Sequence, residues 1–216
     1  MLKSKSCIIQ ILYITLNRRF TRGEWEKKFR YLPEQTQIRI MKYRRWQDRQ
    51  AKMLGYHLLQ EGLRGYGYAL KFDVPVDHFG RPYVDHGVDF NISHSDGCVV
   101  CALTSEGRLG IDIEKIKPIN FTDFEDCMSS VEWKEIKASK NMSTSFYDFW
   151  TIKESTLKAD GRGLSLPLEK VETHGNKAKL DGRTWFLTRL ELSPGFSCHL
   201  ACDMQDKQLE ITELHS

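Results

Sequence analysis

The sequence has no run of about 20 consecutive apolar residues, the length an α-helix needs to cross a bilayer. The one N-terminal stretch that resembles an export signal, residues 7–16 after Lys3 and Lys5, is interrupted by Gln10 and Thr15. It is followed by Arg18 and Arg19 with no small-residue cleavage site, so a buried first strand is expected there. The six cysteines lack the pattern of a zinc site. Cys98-Val-Val-Cys101 and Cys198-His-Leu-Ala-Cys202 lie inside β-forming apolar runs rather than at tight turns, and in a strand Cys98 and Cys101 face opposite ways. Free buried thiols follow, and with them a reducing, cytoplasmic location. There is no low-complexity linker and no short repeat. Net charge is small as well, 32 Lys and Arg against 29 Asp and Glu, or +3.

What the chain does have is an uneven distribution of that charge. Residues 17–64 carry 13 basic and 5 acidic side chains, whereas residues 112–135 carry 7 acidic and 3 basic. The first region suits an anionic ligand and the second a cation. At 216 residues, 40% of them hydrophobic, the chain is long enough for one large domain or two small ones with a real core.

Gly110-Ile111-Asp112-Ile113-Glu114-Lys115 alternates apolar and polar and reads as a short strand, with Asp112 and Glu114 on one face and Ile111 and Ile113 in the core. Two carboxylates side by side repel unless a cation lies between them, and a hard divalent ion with oxygen ligands is the natural occupant. A long helix is expected from Pro33-Glu34 to about Gly62, with Lys42, Arg45, Arg49 and Lys52 forming one cationic stripe. Asp77-His78-Phe79-Gly80-Arg81-Pro82 reads as a turn. Asn91-Ile92-Ser93-His94-Ser95 crowds hydrogen-bonding side chains ahead of an apolar strand at 98–103, and Gly107 is expected to turn a hairpin into the acidic strand. Residues 118–142 read as irregular, with helical stretches near 121–128 and 131–138. A second strong helix is expected over 143–159, capped by Ser143 or Ser145 and stopped by Gly161, with Trp150, Glu154 and Lys158 on one face. Strands are expected near 171–173, 185–189 and 196–203. The order gives an α+β fold of two similar halves, 1–106 and 107–216. Each is a small, mostly antiparallel sheet packed on a long helix, with the ligand site in the cleft between them.

Three of these segments together, Asn91-Ile92-Ser93-His94-Ser95, Gly110-Ile111-Asp112-Ile113-Glu114 and Trp150-Thr151-Ile152-Lys153-Glu154-Ser155-Thr156-Leu157-Lys158, resemble the signature set of the 4′-phosphopantetheinyl transferases. Phe79-Gly80-Arg81-Pro82 and Gly161-Arg162-Gly163-Leu164-Ser165-Leu166-Pro167-Leu168 extend the likeness to about residues 35 to 205. The length and order are those of the larger, surfactin-synthetase-activating type, a pseudo-dimer in one chain. The resemblance implies an enzyme that moves the phosphopantetheine arm of coenzyme A to a serine of an apo acyl or peptidyl carrier protein and releases adenosine 3′,5′-bisphosphate. It implies Mg²⁺ on Asp112, Glu114 and Glu154, with Glu154 taking the serine proton and Lys158 assisting the departing phosphate. It places Lys153 on the pyrophosphate, and Arg39, Lys52, Arg81, Ser93 and His94 on coenzyme A, with Lys42, Arg45 and Arg49 as alternatives on the helix. The carrier is expected to dock on 118–142 through Phe121, Phe124 and Met128. Neither nucleic acid nor membrane is implied as a partner, and a monomer is. The competing reading is a Mg²⁺-dependent phosphodiesterase or nuclease using the same three carboxylates.

Overall fold

The computed structural model describes residues 7–16, 18–68, 73–85 and 87–215, with the backbone alone at Leu164. Two sheets lie face to face, each with a 19-residue helix on its outer side. The first sheet contains β1 (Cys7–Thr15), β2 (Asp89–Ser95), β3 (Cys98–Thr104) and, from the far end of the chain, β9 (Lys207–Glu213). Its order is β2-β3-β1-β9, antiparallel except for the parallel β1–β9 pair. The second is the antiparallel sheet β4-β8-β7-β6-β5, built from β4 (Leu109–Lys115), β5 (Glu172–His174), β6 (Lys177–Leu180), β7 (Arg183–Arg189) and β8 (Phe196–Cys202).

Strand alternation sorts the apolar side chains between two layers. Ile9 and Ile11 of β1 and Val100 and Ala102 of β3 face Ile111 and Ile113 of β4 and Cys198 and Leu200 of β8, forming the core between the sheets. Leu12, Ile14, Val99, Cys101 and Leu103 point the other way, onto Met53, Leu54, Leu58 and Leu63 of α3 (Trp46–Arg64). In the second half Leu157 and Ala159 of α5 (Met142–Asp160) meet Val171, Leu180, Trp185, Leu187 and Ala201. Each fully buried Val, Leu, Ile or Met among them stabilises the fold by about 1.5–3 kcal/mol. The helix α5 starts where the Asn141 side chain accepts the Thr144 N–H at 3.0 Å, and ends at Gly161, whose φ of +100° is the left-handed region.

The edges of the two sheets are closed against each other by side chains. The β2 residues Asp89, Asn91, Ser93 and Ser95 share one face, and their oxygens accept the N–H groups of Leu109, Ile111, Ile113 and Lys115 at 2.8, 3.0, 3.4 and 3.1 Å. These are the β4 donors left over on the side away from β8, so the polar spacing in β2 matches the unpaired edge of β4 step for step.

Several expectations are corrected. The single helix expected to run to Gly62 is two, α2 (Glu34–Met41) and α3, separated at 42–45. Lys42 and Tyr43 close a tight turn with N–H bonds back to Arg39 and Ile40 at 3.3 and 3.2 Å, and Arg49 Nε donates to the Tyr43 carbonyl at 2.7 Å. Lys42 and Arg45 therefore leave the stripe that was to contain Arg49 and Lys52. A further helix, α1 (Arg22–Phe29), opens on a Thr21–Glu24 capping box. Gly107 joins the two sheets and is not a hairpin, because β4 pairs with β8 rather than β3. Strands β6 and β9 were not foreseen, and β9 carries the end of the chain back into the sheet of β1.

Candidate active site

Asp112 lies on β4 beneath α5 and is 2% exposed. Its Oδ1 accepts the Ser93 hydroxyl at 2.8 Å and the Lys158 ammonium at 2.5 Å, while its Oδ2 is buried and has no hydrogen-bond partner. Glu114, on the same face of the strand, accepts the Ser95 hydroxyl at 2.7 Å. Burial, helped by the Asp112 charge, pushes its carboxyl up to about 7. Burial and the same Asp112 charge also raise Glu154, which projects from α5 one turn before Lys158. On Lys158 burial acts to lower the pKa, but the attraction of Asp112, Glu154 and Glu114 outweighs it and the group is raised.

The close approach of α5 to β4 depends on Gly110. A Cβ there would meet the Ser155 carbonyl oxygen at 2.2 Å and the Ala159 nitrogen at 2.3 Å. The other end of α5 is fastened to β8. Thr151 Oγ1 bonds His199 Nδ1 at 2.8 Å and Ser197 Oγ at 3.1 Å, Ser197 donates to Asp148 at 2.6 Å, and Arg189 pairs with Asp148. His199 faces Asp112 directly across the strand pair. Burial holds its imidazole near 4, so it is neutral. Nothing in the sequence singled out this group, because His199 lies in an apolar run between two cysteines.

A cleft of about 500 Å³ opens beside the carboxylates, between α2, α3, the turn at 77–82, β2 and the end of α5, and Arg39, Lys52, Arg81, His94 and Lys158 line it. Burial, then the charges of Lys52 and Lys158, hold His94 near 4, so it offers a neutral imidazole. Burial and the Lys158 charge lower Lys52, whose ammonium lies 5.8 Å from the centre of the Tyr43 ring. Arg39 donates to the Val74 carbonyl at 2.9 Å, tying α2 to the far wall.

Three of the expected site residues have protein partners that set their places. Arg81 is 8% exposed and its guanidinium is taken up by Asp89 at 2.9 Å, by the Leu109 carbonyl at 3.0 Å and by the Lys158 carbonyl, so it clamps both halves together at the cleft floor. Ser93 serves Asp112 and the Ile113 N–H. Lys153 does not reach the cleft. It is fully buried and bonded to Glu132 at 2.9 Å and to the carbonyls of Val171 and Leu168 at 2.9 and 3.3 Å, fixing α4 (Ser130–Ala138) against α5. Lys153→Met is expected to lower stability by about 3–5 kcal/mol, since Glu132 is left charged and buried. Urea unfolding measures that loss, and an unchanged unfolding free energy would contradict the buried pairing. The expected docking residues have protein partners too: Met128 is buried and Phe121 and Phe124 are half-buried, packed on Phe146 and Trp150.

The donor set fits a hard divalent cation in chemistry. Among the described residues no group of three or more His, Cys, Asp or Glu side chains is already arranged to hold a metal ion. Yet three carboxylates share one field, each of Glu114 and Glu154 feels Asp112, and Asp112 Oδ2 has no partner. Acceptor-only oxygens without enough positive charge are what a Mg²⁺-type ion completes.

Fold and site together define a two-halved α+β protein with an acidic centre beneath a cation-lined cleft. The family model of the 4′-phosphopantetheinyl transferase superfamily matches residues 108–208. The 4′-phosphopantetheinyl transferase Sfp of Bacillus subtilis (strain 168) is 31% identical over 220 residues, covering 94% of this chain and 96% of that one. A second Bacillus subtilis relative, 4′-phosphopantetheinyl transferase ffp, is 26% identical over the same shares, 94% and 96%. The gsp transferase of Aneurinibacillus migulanus is 39% identical over 105 residues, 48% of this chain and 44% of its own. The chain belongs to the 4′-phosphopantetheinyl transferase family and is an enzyme of that class.

Proposed function

We propose that the cleft binds coenzyme A and that the acidic centre directs its phosphopantetheine arm onto a serine of an apo carrier protein, leaving adenosine 3′,5′-bisphosphate. The observation that supports this reading is the buried Asp112 carboxylate, with Oδ2 left without a partner and Oδ1 bonded to Lys158, one of the cations that line the cleft. Lys52, Arg39 and neutral His94 hold the phosphates of the nucleotide end. Neutral His94 and a lowered Lys52 bind by hydrogen bonds as well as charge, which suits a phosphate in a half-buried site. Asp112, Glu114 and Glu154 hold Mg²⁺, which when bound offsets the charge on the phosphate oxygens. The raised carboxylate of Glu154 takes the serine proton, because a base nearer neutrality competes better for it. Lys158 hydrogen-bonds the departing phosphate oxygen. The carrier docks against 118–142, where Val131 is 63% exposed. Five of the cysteines are buried and all six are free, in keeping with a reducing cytoplasm, and both halves in one chain suit a monomer.

Release of adenosine 3′,5′-bisphosphate only when apo carrier protein is present is the expected result. Release without any carrier would replace transfer by hydrolysis. A pH dependence also follows. With the Glu114 carboxyl moved from its ordinary value of 4.5 to about 7, the metal-free folded protein holds a proton the unfolded chain has lost. Its contribution to stability is complete below 4.5 and disappears as pH rises through about 7. Melting temperature in EDTA should fall across that window, and excess Mg²⁺ should reverse the fall. A metal-free melting temperature that is flat or rising over the window would contradict it.

A further inference from the structure

Lys158 places its ammonium on one oxygen of the Asp112 carboxylate whose other oxygen is left without a partner. The ammonium donates to Asp112 Oδ1 at 2.5 Å and to Ser93 Oγ at 3.1 Å, and Ser93 is itself bonded to the same carboxylate oxygen at 2.8 Å. The Asp112 side chain is 3% exposed and that of Lys158 is 26% exposed, so the lysine reaches the carboxylate from the open side and has water to withdraw into. The backbone beneath it is fixed, because the Lys158 carbonyl is held by Arg81 and Gly110 holds α5 against β4. The ammonium is therefore free to move only on its own four-carbon stem.

We propose that Lys158 is a tethered cation that stands in for the divalent ion in the ligand-free protein, and that the ion enters by displacing the ammonium from Asp112. This rests on the reading of Asp112, Glu114 and Glu154 as the metal ligands. Two consequences follow. The lysine stabilises three crowded carboxylates when no metal is present, and it weakens the metal's own affinity. A phosphate arriving in the cleft gives the ammonium another partner and vacates Asp112, so anion and metal binding reinforce each other.

The test is Mn²⁺ binding to ligand-free protein at pH 8, followed by electron paramagnetic resonance, with no coenzyme A or carrier. Lys158→Met keeps the stem and removes the charge, and is expected to bind Mn²⁺ about tenfold or more tightly than wild type, the size of one unit charge removed from a partly screened site. Lys158→Gln, which retains a donor for Ser93 and Asp112, is the second variant and should show the same gain, while Lys158→Arg should show none. As a second measurement, Mg²⁺ should raise the melting temperature of Lys158→Met more than that of wild type. If both neutral variants bind Mn²⁺ no tighter than wild type, the stand-in role is overturned and the metal site stands. If neither wild type nor the variants bind Mn²⁺, the metal site falls and the stand-in role with it.

Discussion

Asp112→Asn is expected to lower kcat for carrier modification by about 10³-fold or more, with the coenzyme A dissociation constant changed only severalfold. The substitution is nearly isosteric. Asn can still accept from the Ser93 hydroxyl and the Lys158 ammonium, so the two bonds that order this end of β4 survive. What goes is one of three negative charges, and the one whose Oδ2 is buried without a partner. Interactions that hold charge at the reacting phosphate act in the transition state more than in the ground state, so the loss should fall on kcat. Arg39, Lys52 and Arg81 of the cleft lie on other elements, and the Arg39 bond to the Val74 carbonyl is untouched. A loss confined to coenzyme A binding, with kcat intact, would move Asp112 from the reacting centre to the nucleotide site.

Gly110→Ala is expected to lose about 3 kcal/mol or more of stability and most of its transfer activity together. The added carbon would sit 2.2 Å from the Ser155 carbonyl oxygen and 2.3 Å from the Ala159 nitrogen, and both are backbone atoms with no rotamer to change. Either α5 lifts from β4 or the strand bends, and overpacking of this kind costs about 1–3 kcal/mol where side chains can yield and more where they cannot. For a chain of this length the melting temperature should fall by on the order of 10 °C. Lifting α5 also carries Glu154 and Lys158 away from Asp112, so activity of the folded fraction should drop as well. Gly23→Ala is the control: nothing lies within 4 Å of the place its methyl group would occupy, so stability should hold or rise slightly and transfer should not change. Equal stability of Gly110→Ala and wild type would refute the close packing.

Much of this was legible because it is local. The alternation of 110–115 announces a strand with two carboxylates on one face, and the spacing of Trp150, Glu154 and Lys158 places those side chains on one side of α5. The chemistry at Lys153 was misassigned although the spacing held the answer. One residue before Glu154 is about 100° around the helix, and that turn takes Lys153 into the interior beside Glu132. Asn91, Ser93 and Ser95 announced a polar face, but whether it met a ligand or another strand depended on where β4 lies. The partners of Arg81 were not legible for the same reason: they include carbonyls 28 and 77 positions along the chain. The break between α2 and α3 has neither Gly nor Pro to mark it. The parallel pairing of β9 with β1 joins Lys207 to Cys7, a separation no local pattern encodes.

The account is tested most directly by the intact mass of an apo carrier protein after incubation with this protein, coenzyme A and Mg²⁺. A gain of one phosphopantetheine arm, absent with EDTA and absent with Glu154→Gln, is the predicted result. An arm that still transfers in EDTA or with Glu154→Gln would contradict the carboxylate centre. No gain on several unrelated carriers, from folded protein that binds coenzyme A, would contradict the transfer itself.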